Sequence, residues 1–350
     1  MQDMSTLVLG DTHVFNHKFC GGPLVGGLNR RCRDILQSIY QIVDYCKVRH
    51  GVTHVVQLGD FFDGPKPSPQ VLNAALDMIA ATQVEWHIIA GNHDVASFDA
   101  PSALAPMNHV GNICTYDKPT LTSIRGQDWL MVPYTGPNAQ EAIQRALQQA
   151  PSTFRAAVHY GLVASDPRQD CVTLGSFGTM LRHEILVLAY FGHEHDSVVG
   201  NGSAVSCGSL LPLNFSDVDK VLRVYAGDKR VPIPPGMCPQ FVDLRNFPMS
   251  NPLYVLRWLA EAKYLNDFAI YARVNPGDEE KAKALVDAGV ISGYQVYREP
   301  FVGYAGQTVP VANLASSSPE SYIWNTAASA DSTSHIELAT LLDTAMQESQ

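Results

Sequence analysis

The stretch "HIIAGNHD", from His87 to Asp94, decides the fold. It is an apolar run typical of a buried strand, and it stops at Gly91 before an amide, an imidazole and a carboxylate in succession. Consecutive residues of a strand point to opposite faces, so these three side chains can converge only after the strand has ended. Glycine lets the chain turn there and approach a ligand closely, because it has no side chain. The stretch therefore predicts that a strand end forms one wall of a functional site.

Other strand-like runs end in the same way. "LVLGDTH", "VVQLGDFFD" and "LAYFGHEHD" each pass through a glycine to residues able to bind a metal, and "AAVHYG" carries a histidine at a similar edge. In open α/β sheets, sites gather beyond the carboxyl ends of the strands, where all these segments would deliver their polar groups. The candidate metal ligands are Asp11, His13, Asp60, Asn92, His159, His193 and His195.

The ligand types indicate which metals would bind. Carboxylate, amide and imidazole groups without a thiolate suit Mn²⁺ or Fe²⁺ and tolerate Zn²⁺. The set is too large for one ion that must keep a position open, so it suits two ions. Ions roughly 3.5 to 4 Å apart share a bridging carboxylate, generate hydroxide and clamp a phosphoryl oxygen. His93 is then spare, placed to protonate a leaving oxygen, and Asp94 is expected to hold its imidazole in orientation.

Each motif also has a plainer explanation. An Asp-x-His pair alone is more often a solvated loop, roughly half of the aspartates after a strand simply cap the next helix, and "GHEH" is compatible with an ordinary polar turn. The five motifs in this order, each after a strand, favour a site. His17 is a candidate substrate contact because it lies just beyond His13 in a loop. The other histidines are expected at the surface or satisfied in the core: His50, His54, His87, His109, His183 and His335.

The order of elements predicts an α/β fold. Short β-branched runs alternate with amphipathic helical stretches over the first half, and Ser68 with Pro69 predicts the start of one helix. Residues 1–245 are predicted to form the catalytic domain and residues 246–302 a small α+β cap. Residues 303–350 are predicted to be a linker and a C-terminal helix, either packed on its own domain or bound to a partner.

Composition narrows the class of protein. A chain of 350 residues is long enough for one large or two modest domains, and its cysteines lack C-x-x-C spacing. No apolar stretch is long enough to cross a bilayer, and the first residues do not resemble a signal peptide, so we expect a cytoplasmic protein without a membrane partner. The net charge of −10 argues against a surface that coats nucleic acid unaided.

The motif order "GDTH", "GDFFD", "GNHD", "VHYG" and "GHEH" resembles the calcineurin-like metallophosphoesterases. Within them, "GDFFDGPKPSPQVL" is similar to the second motif of the SbcD-type double-strand-break repair nucleases, and "CGSLLPLNFSDVDK" to the segment after their last motif. "TYDKPT" and the chain length are most similar to the phage form, the small subunit of the recombination endonuclease. The resemblance covers about residues 4–245 well and the remainder loosely.

The resemblance implies a two-sheet α/β/β/α sandwich, Mn²⁺ as the preferred metal with Fe²⁺, Zn²⁺ or Mg²⁺ as alternatives, and His93 as the catalytic histidine. It implies an SbcC-type SMC-like ATPase partner and a homodimer within that complex. Two positions depart from many relatives: "HVF" replaces His-Leu-Gly, and Asp63 stands where some have histidine. Both leave substrate preference open. By resemblance, one ion is held by Asp11, His13, Asp60 and His195, and the other by Asp60, Asn92, His159 and His193.

The leading functional hypothesis is a metal-dependent DNA exonuclease, and also a structure-dependent endonuclease, acting in DNA end processing and recombination. The alternative is a small-substrate phosphoesterase, such as a cyclic-nucleotide phosphodiesterase or a protein phosphatase. A third hypothesis is a scaffold that has lost catalysis and docks an ATPase. A local positive rim is predicted for DNA, although a solvated helix face is the plainer explanation for most of its candidates: Lys18, Arg30, Arg31, Arg33 and Lys66.

Overall fold

The architecture comes from a computed structural model of the chain. It describes residues 6–18, 21–97, 100–148, 150–151, 153–165, 168–181, 185–195, 200, 203–215, 224–231, 233–234, 236–247, 252–261 and 268–297. The predicted C-terminal segment, residues 303–350 with its helix, lies outside the described residues. None of the described helices combines the length and apolar character needed to cross a bilayer.

Within the described residues, the helices are α1 (Arg30–His50), α2 (Pro69–Thr82), α3 (Ala139–Leu147), α4 (Leu174–Leu181), α5 (Pro252–Glu261) and α6 (Glu279–Asp287), with a 3₁₀ helix at Ala105–His109. The strands are β1 (Thr6–Leu9), β2 (His54–Gln57), β3 (Glu85–Ile89), β4 (Ile113–Tyr116), β5 (Thr120–Ile124), β6 (Gln127–Val132), β7 (Thr153–Val158), β8 (Gly161–Val163), β9 (Cys171–Thr173), β10 (Ile185–Phe191), β11 (Ala204–Ser206), β12 (Val224–Ala226), β13 (Lys229–Val231), β14 (Gln240–Asp243), β15 (Ile270–Val274) and β16 (Gly293–Val296).

Two large sheets face each other in this part of the chain. The first has the strand order β13-β12-β1-β2-β3-β4, and the second has the order β11-β10-β7-β6-β5. Because side chains alternate along a strand, Leu7 packs toward the helices while Val8 packs between the sheets, against a cluster that includes Trp129 and Tyr190. Helices α1 and α2 cover the outer face of the first sheet, and α3 and α4 cover that of the second. The predicted α/β/β/α sandwich is confirmed.

Local capping determines where the first helices begin. The Asn29 side chain accepts a hydrogen bond from the backbone N–H of Cys32 at the start of α1. The Ser68 side chain caps α2 in the same way, and Pro69 occupies its first turn as predicted. These caps place α1 and α2 directly after the loops that leave β1 and β2, so both helices carry the chain back across the outer face of the sheet.

A smaller unit follows the sandwich. Strands β14, β15 and β16 form a parallel sheet, and α5 and α6 share its apolar cluster. Its first strand, Gln240–Asp243, precedes the predicted boundary between residues 245 and 246, and α5 was not among the predicted elements. The division of the chain into domains stays a prediction.

Helix α1 contacts the smaller unit. Arg31 is buried, donates a hydrogen bond to the carbonyl of Leu213 and lies 5.7 Å from the ring centre of Phe241. The Asp34 carboxylate accepts a 3.4 Å hydrogen bond from the backbone N–H of Ala269. Arg31 therefore takes no part in the predicted positive rim, because its guanidinium is used inside the protein.

Candidate metal centre

The predicted ligands lie where the carboxyl-terminal edges of the two large sheets meet. In the first sheet, β1, β2 and β3 run parallel, and the segments that follow them carry Asp11, Asp60 and Asn92. In the second sheet, β7 and β10 run parallel and are followed by His159 and His193. The described structure thus brings five segments distant in sequence to one place, as the strand-end argument predicts.

One group of donors combines Asp11, His13 and His195, whose ligand atoms all lie within 4.8 Å of one another. The Nε2 atoms of His13 and His195 are 3.0 Å apart, and His195 Nε2 is 3.6 Å from Asp11 Oδ2. Asp60 Oδ2 lies 3.9 Å from His13 Nε2. These are the residues that the resemblance assigns to the first ion.

A second group combines Asp60, His159 and His193, also within 4.8 Å. The side-chain oxygen of Asn92 lies 3.0 Å from His159 Nε2 and 2.9 Å from His193 Nδ1. The second carboxylate oxygen of Asp60, Oδ1, is 3.4 Å from His159 Nε2. Asp60 therefore directs one oxygen to each group, which is the position of a bridging ligand.

Asp60 and His159 shift the pKa of each other in this centre. Burial opposes the ionisation of Asp60, but the adjacent His159 outweighs it and holds the pKa of the carboxyl well below its usual range. Burial likewise disfavours charge on His159, yet the carboxylate of Asp60 raises the pKa of this imidazole to about 9. Bound cations would take the place of that proton, because a metal binds the neutral imidazole. The buried carboxylates, the amide and the imidazoles together fit two divalent ions, and their chemistry does not select one metal.

The backbone is strained where it presents the ligands. Among the described non-glycine residues, five have positive φ, and three of them are His13 (49°), Asp60 (48°) and His193 (70°). Strain of this kind costs on the order of 1 to 3 kcal/mol per residue and persists only where the surroundings enforce it. The neighbouring glycines show how closely the surrounding residues pack. A Cβ on Gly91 would lie 2.1 Å from Asp60 Oδ1, and one on Gly59 would lie 2.1 Å from His159 Nδ1. Close approach thus explains the glycine that ends each of these strands.

His93 lies at the open side of the centre. Its side chain is 42% exposed, and its ring meets that of His13 edge to face at 4.9 Å. Among the described residues, its ring makes polar contacts through Nδ1, which lies 3.2 Å from the carbonyl oxygen of Asp63 and 3.5 Å from Asp63 Oδ1. His93, His13 and Asp60 also offer ligand atoms within 4.8 Å of one another, so the ring borders the metal centre, and its role as a proton donor stays a prediction.

The structure corrects the role predicted for Asp94. Its carboxylate is fully buried and accepts hydrogen bonds from the backbone N–H groups of Phe61 (3.2 Å), Phe62 (2.9 Å) and Gly91 (2.9 Å). Its two oxygens are therefore used to join the loops after β2 and β3, and they do not orient the imidazole of His93. Burial raises the pKa of Asp94 to about 7, and the nearby Asp60 adds to the shift. Asp94 is a structural residue beneath the site.

Asp63 performs the role expected of Asp94. Its Oδ1 lies 2.9 Å from His13 Nδ1 and its Oδ2 lies 3.4 Å from His17 Nδ1, in addition to the contact with His93. His17 also places Nε2 2.8 Å from the carbonyl oxygen of His13, and burial lowers the pKa of its imidazole to about 4. His17 thus supports the His13 loop, and its predicted contact with a substrate stays a prediction. The sequence signal for Asp63 was the second aspartate of "GDFFD".

Asp170 was missed at the sequence level. Its Oδ2 lies 2.7 Å from Nε2 of His193, opposite the Nδ1 that faces Asn92. A carboxylate on the far nitrogen of a ligating histidine fixes the orientation of the ring and raises its basicity. Asp170 stands in the turn before β9, in a segment without a recognisable motif, so only the three-dimensional structure identifies it.

Comparisons with known proteins give a family match and several similar solved structures. A family model described as calcineurin-like phosphoesterase matches residues 4–290. No curated protein sequence matches the chain. Solved structures similar to it include a dimetal phosphatase from Danio rerio, with 13% identity, a TM-score of 0.40, and coverage of 60% of this chain and 88% of that one.

Two further solved structures are similar at the same low level of identity. GAP50, the anchor in the inner membrane complex of Plasmodium, has 14% identity and a TM-score of 0.36, with 59% of this chain and 72% of that one covered. A 5'-nucleotidase precursor from Thermus thermophilus has 14% identity and a TM-score of 0.34, with 56% of this chain and 42% of that one covered.

Proposed function

Because the chain belongs to the calcineurin-like phosphoesterase family, we propose that it is a metal-dependent DNA nuclease that hydrolyses phosphodiester bonds. The main support for hydrolysis is the position of Asp60, which directs one carboxylate oxygen to each of two ligand groups. We propose exonuclease activity and, on suitable DNA structures, endonuclease activity. Mn²⁺ is the proposed metal, with Fe²⁺, Zn²⁺ or Mg²⁺ as alternatives.

The DNA substrate is supported by the segments that resemble the SbcD-type nucleases. One of them is "CGSLLPLNFSDVDK", and its described part, residues 207–215, contacts the centre: Leu210 donates a 2.7 Å backbone hydrogen bond to the carbonyl of Asp11, and Ser209 donates one of 3.3 Å to that of His195. The other, "GDFFDGPKPSPQVL", contains Asp60 and Asp63. The resemblance thus lies in segments that shape the site as well as in the ligands.

In the proposed reaction, divalent ions would supply a hydroxide nucleophile and neutralise charge on the phosphoryl oxygens. His93 donates a proton from Nε2 to the departing sugar oxygen, while Asp63 holds Nδ1 and keeps the ring facing the substrate. Asp94 secures the loops that carry Asp60 and His93 through its backbone hydrogen bonds. Each of these residues acts at a stated atom, so each can be tested singly.

The proposed partners follow from charge. A chain with a net charge of −10 holds DNA poorly by itself, because affinity for the phosphate backbone depends on lysine and arginine. We propose that an SbcC-type SMC-like ATPase contributes the cationic surface, and that the nuclease acts as a homodimer within that complex. Removal of residues 334–350 is expected to weaken binding of the ATPase in a titration while metal content stays unchanged. Equal affinity of the full and shortened chains would contradict this use of the tail.

The substrate is tested by Mn²⁺-dependent release of nucleotides from linear duplex DNA, compared with hydrolysis of p-nitrophenyl phosphate and cyclic nucleotides. His93→Ala is expected to lower nuclease turnover by roughly 10²- to 10⁴-fold. His109→Ala is the matched control, since it removes an exposed histidine of the 3₁₀ helix.

Each outcome of this assay has a clear meaning. Hydrolysis of the small esters alone would replace the nuclease by a small-substrate phosphoesterase. Equal turnover by wild type and His93→Ala would show that the site does not catalyse the reaction through this residue. Loss of DNA cleavage in His93→Ala, with retention in His109→Ala, is the result that the proposal requires.

A further inference from the structure

A separate group of metal-binding side chains lies at the opposite edge of the first sheet. His54 is the first residue of β2, and Glu85 is the first residue of β3 and its direct neighbour across the parallel pair. His87 lies two positions further along β3, so its side chain shares a face with that of Glu85. The proposed nuclease centre lies beyond the carboxyl ends of the same strands, so the two sites are independent.

The three side chains converge. His54 Nε2 lies 3.1 Å from Glu85 Oε2, and the imidazoles of His54 and His87 stack with their centres 6.0 Å apart and their planes 16° apart. One ligand atom from each of the three residues lies within 4.8 Å of the others. Two imidazoles and a carboxylate are a ligand set that zinc uses in proteins.

A buried nitrogen of His87 points to a missing ligand. The His87 residue is 6% exposed, and its Nδ1 lies 2.8 Å from the hydroxyl of Tyr116. Its Nε2 is buried and has no hydrogen-bond partner among the described residues. Leaving a buried polar atom unpaired is unfavourable, so such atoms are rare in folded proteins. A bound cation would satisfy this nitrogen.

The contact between His87 and Tyr116 suits this role. In the tautomer whose Nδ1–H donates to Tyr116, Nε2 presents its lone pair. Ligating histidines usually donate their other ring N–H to an oxygen in this way, which fixes the tautomer and the ring.

We propose that His54, Glu85 and His87 bind one zinc ion that joins β2 to β3 at the amino-terminal edge of the sheet. Tetrahedral zinc with bonds of about 2.0 to 2.1 Å holds its ligand atoms roughly 3.4 Å apart. Rotation of the His54 and Glu85 side chains brings the ligand atoms to this separation, because the Glu85 side chain is 64% exposed. Water takes the fourth position. Zinc is favoured over Mn²⁺ because imidazole ligands generally bind Zn²⁺ more tightly than Mn²⁺.

The test measures zinc bound per full-length chain, by elemental analysis after equilibrium dialysis against Zn²⁺. The wild type is expected to hold one zinc ion more than His54→Gln or Glu85→Gln, or to bind it at least about 10-fold more tightly. The Glu85 side chain is 64% exposed, so Glu85→Gln is expected to preserve the fold, and circular dichroism verifies folding of His54→Gln, whose side chain is 14% exposed. His109→Gln is the control and is expected to match the wild type.

His87→Phe adds a variant that retains a ring and removes both nitrogens. It is expected to lose the same zinc ion, with folding verified by circular dichroism; if this buried change prevents folding, the exposed Glu85→Gln variant decides. Equal zinc content and affinity in the wild type, His54→Gln and Glu85→Gln would overturn the proposal. DNA cleavage is not a readout of this test, so its failure is distinct from failure of the proposed function.

Discussion

The Asp63 carboxylate lies 2.9 Å from Nδ1 of His13, on the side of the ring opposite to the nitrogen that faces the metal centre. A carboxylate in this position fixes the orientation of a ligating imidazole and strengthens it as a donor. The same carboxylate lies 3.5 Å from Nδ1 of His93. One side chain therefore orients both a predicted metal ligand and the predicted proton donor.

Asp63→Asn is expected to weaken metal binding about 10- to 100-fold, because His13 loses the carboxylate behind it. The measurement is the Mn²⁺ concentration that gives half-maximal hydrolysis. Activity is expected to recover in part at high Mn²⁺, which a collapsed site would not allow. Asp77→Asn, at an exposed position of α2, is the matched control. An unchanged Mn²⁺ requirement in Asp63→Asn would show that Asp63 does not position the ligand.

Asp94 and His93 are adjacent in sequence but are expected to fail in different ways. Asp94→Ala removes the acceptor for three buried backbone N–H groups, so the free energy of unfolding is expected to fall by about 3 kcal/mol or more. His93→Ala removes a partly exposed ring and is expected to change stability by less than about 0.5 kcal/mol. Urea unfolding of both variants, without added metal, measures the difference. Similar losses in the two variants would contradict the structural role assigned to Asp94.

Position 91 requires glycine because a larger residue would clash with Asp60. A methyl group there would lie 2.1 Å from Asp60 Oδ1 and 2.2 Å from the Asp60 backbone nitrogen, so Gly91→Ala is expected to cost about 3 kcal/mol and to impair metal binding. Gly178→Ala is the matched control, because that glycine is exposed in α4 and a Cβ there meets nothing within 4 Å. It is expected to stabilise the helix by about 0.5 to 1 kcal/mol. Thermal unfolding measures both, and a stable, metal-binding Gly91→Ala protein would refute the steric argument.

The strand ends of the metal centre were predictable because their signal is local. An apolar run, a glycine and polar residues follow one another in the sequence, and parallel strands bring such ends together. Strand β5 (Thr120–Ile124) was missed because it lies at an edge, where threonine and serine interrupt the apolar run. Helix α5 was missed because "NPLYVLRWLAEA" lies in a segment interpreted only as part of a cap.

The residues that orient the ligands were less predictable. Asp63 and Asp170 act on histidines from other segments of the chain, and an isolated aspartate does not differ in sequence from a solvated one. Asp94 shows the opposite error, since adjacency in sequence suggested a contact with His93. The loop instead directs the two side chains apart, and backbone N–H groups of distant residues occupy the carboxylate. Such roles depend on tertiary contacts, which local patterns do not encode.

Asp34 is expected to make stability depend on pH at the junction between α1 and the smaller unit. Burial raises the pKa of this carboxyl to about 6, against the opposing effect of Arg30. Because the folded pKa exceeds the unfolded value of about 3.9, the folded state binds more protons between these values. Its stabilising contribution is full below about pH 4 and is lost as the pH rises through about 6.

Asp34→Asn keeps the shape of the side chain and removes this titration. The difference in free energy of unfolding between Asp34→Asn and wild type is expected to change by about 2 to 3 kcal/mol from pH 4 to pH 7, in favour of the variant at higher pH. Urea unfolding across this range, without added metal, measures the difference and cancels the titration of groups common to both proteins. Asp77→Asn, at its exposed position, is expected to give a difference that does not vary with pH. A flat difference for Asp34→Asn as well would show that its carboxyl titrates alike in the folded and unfolded chain, and that burial against the smaller unit does not perturb it.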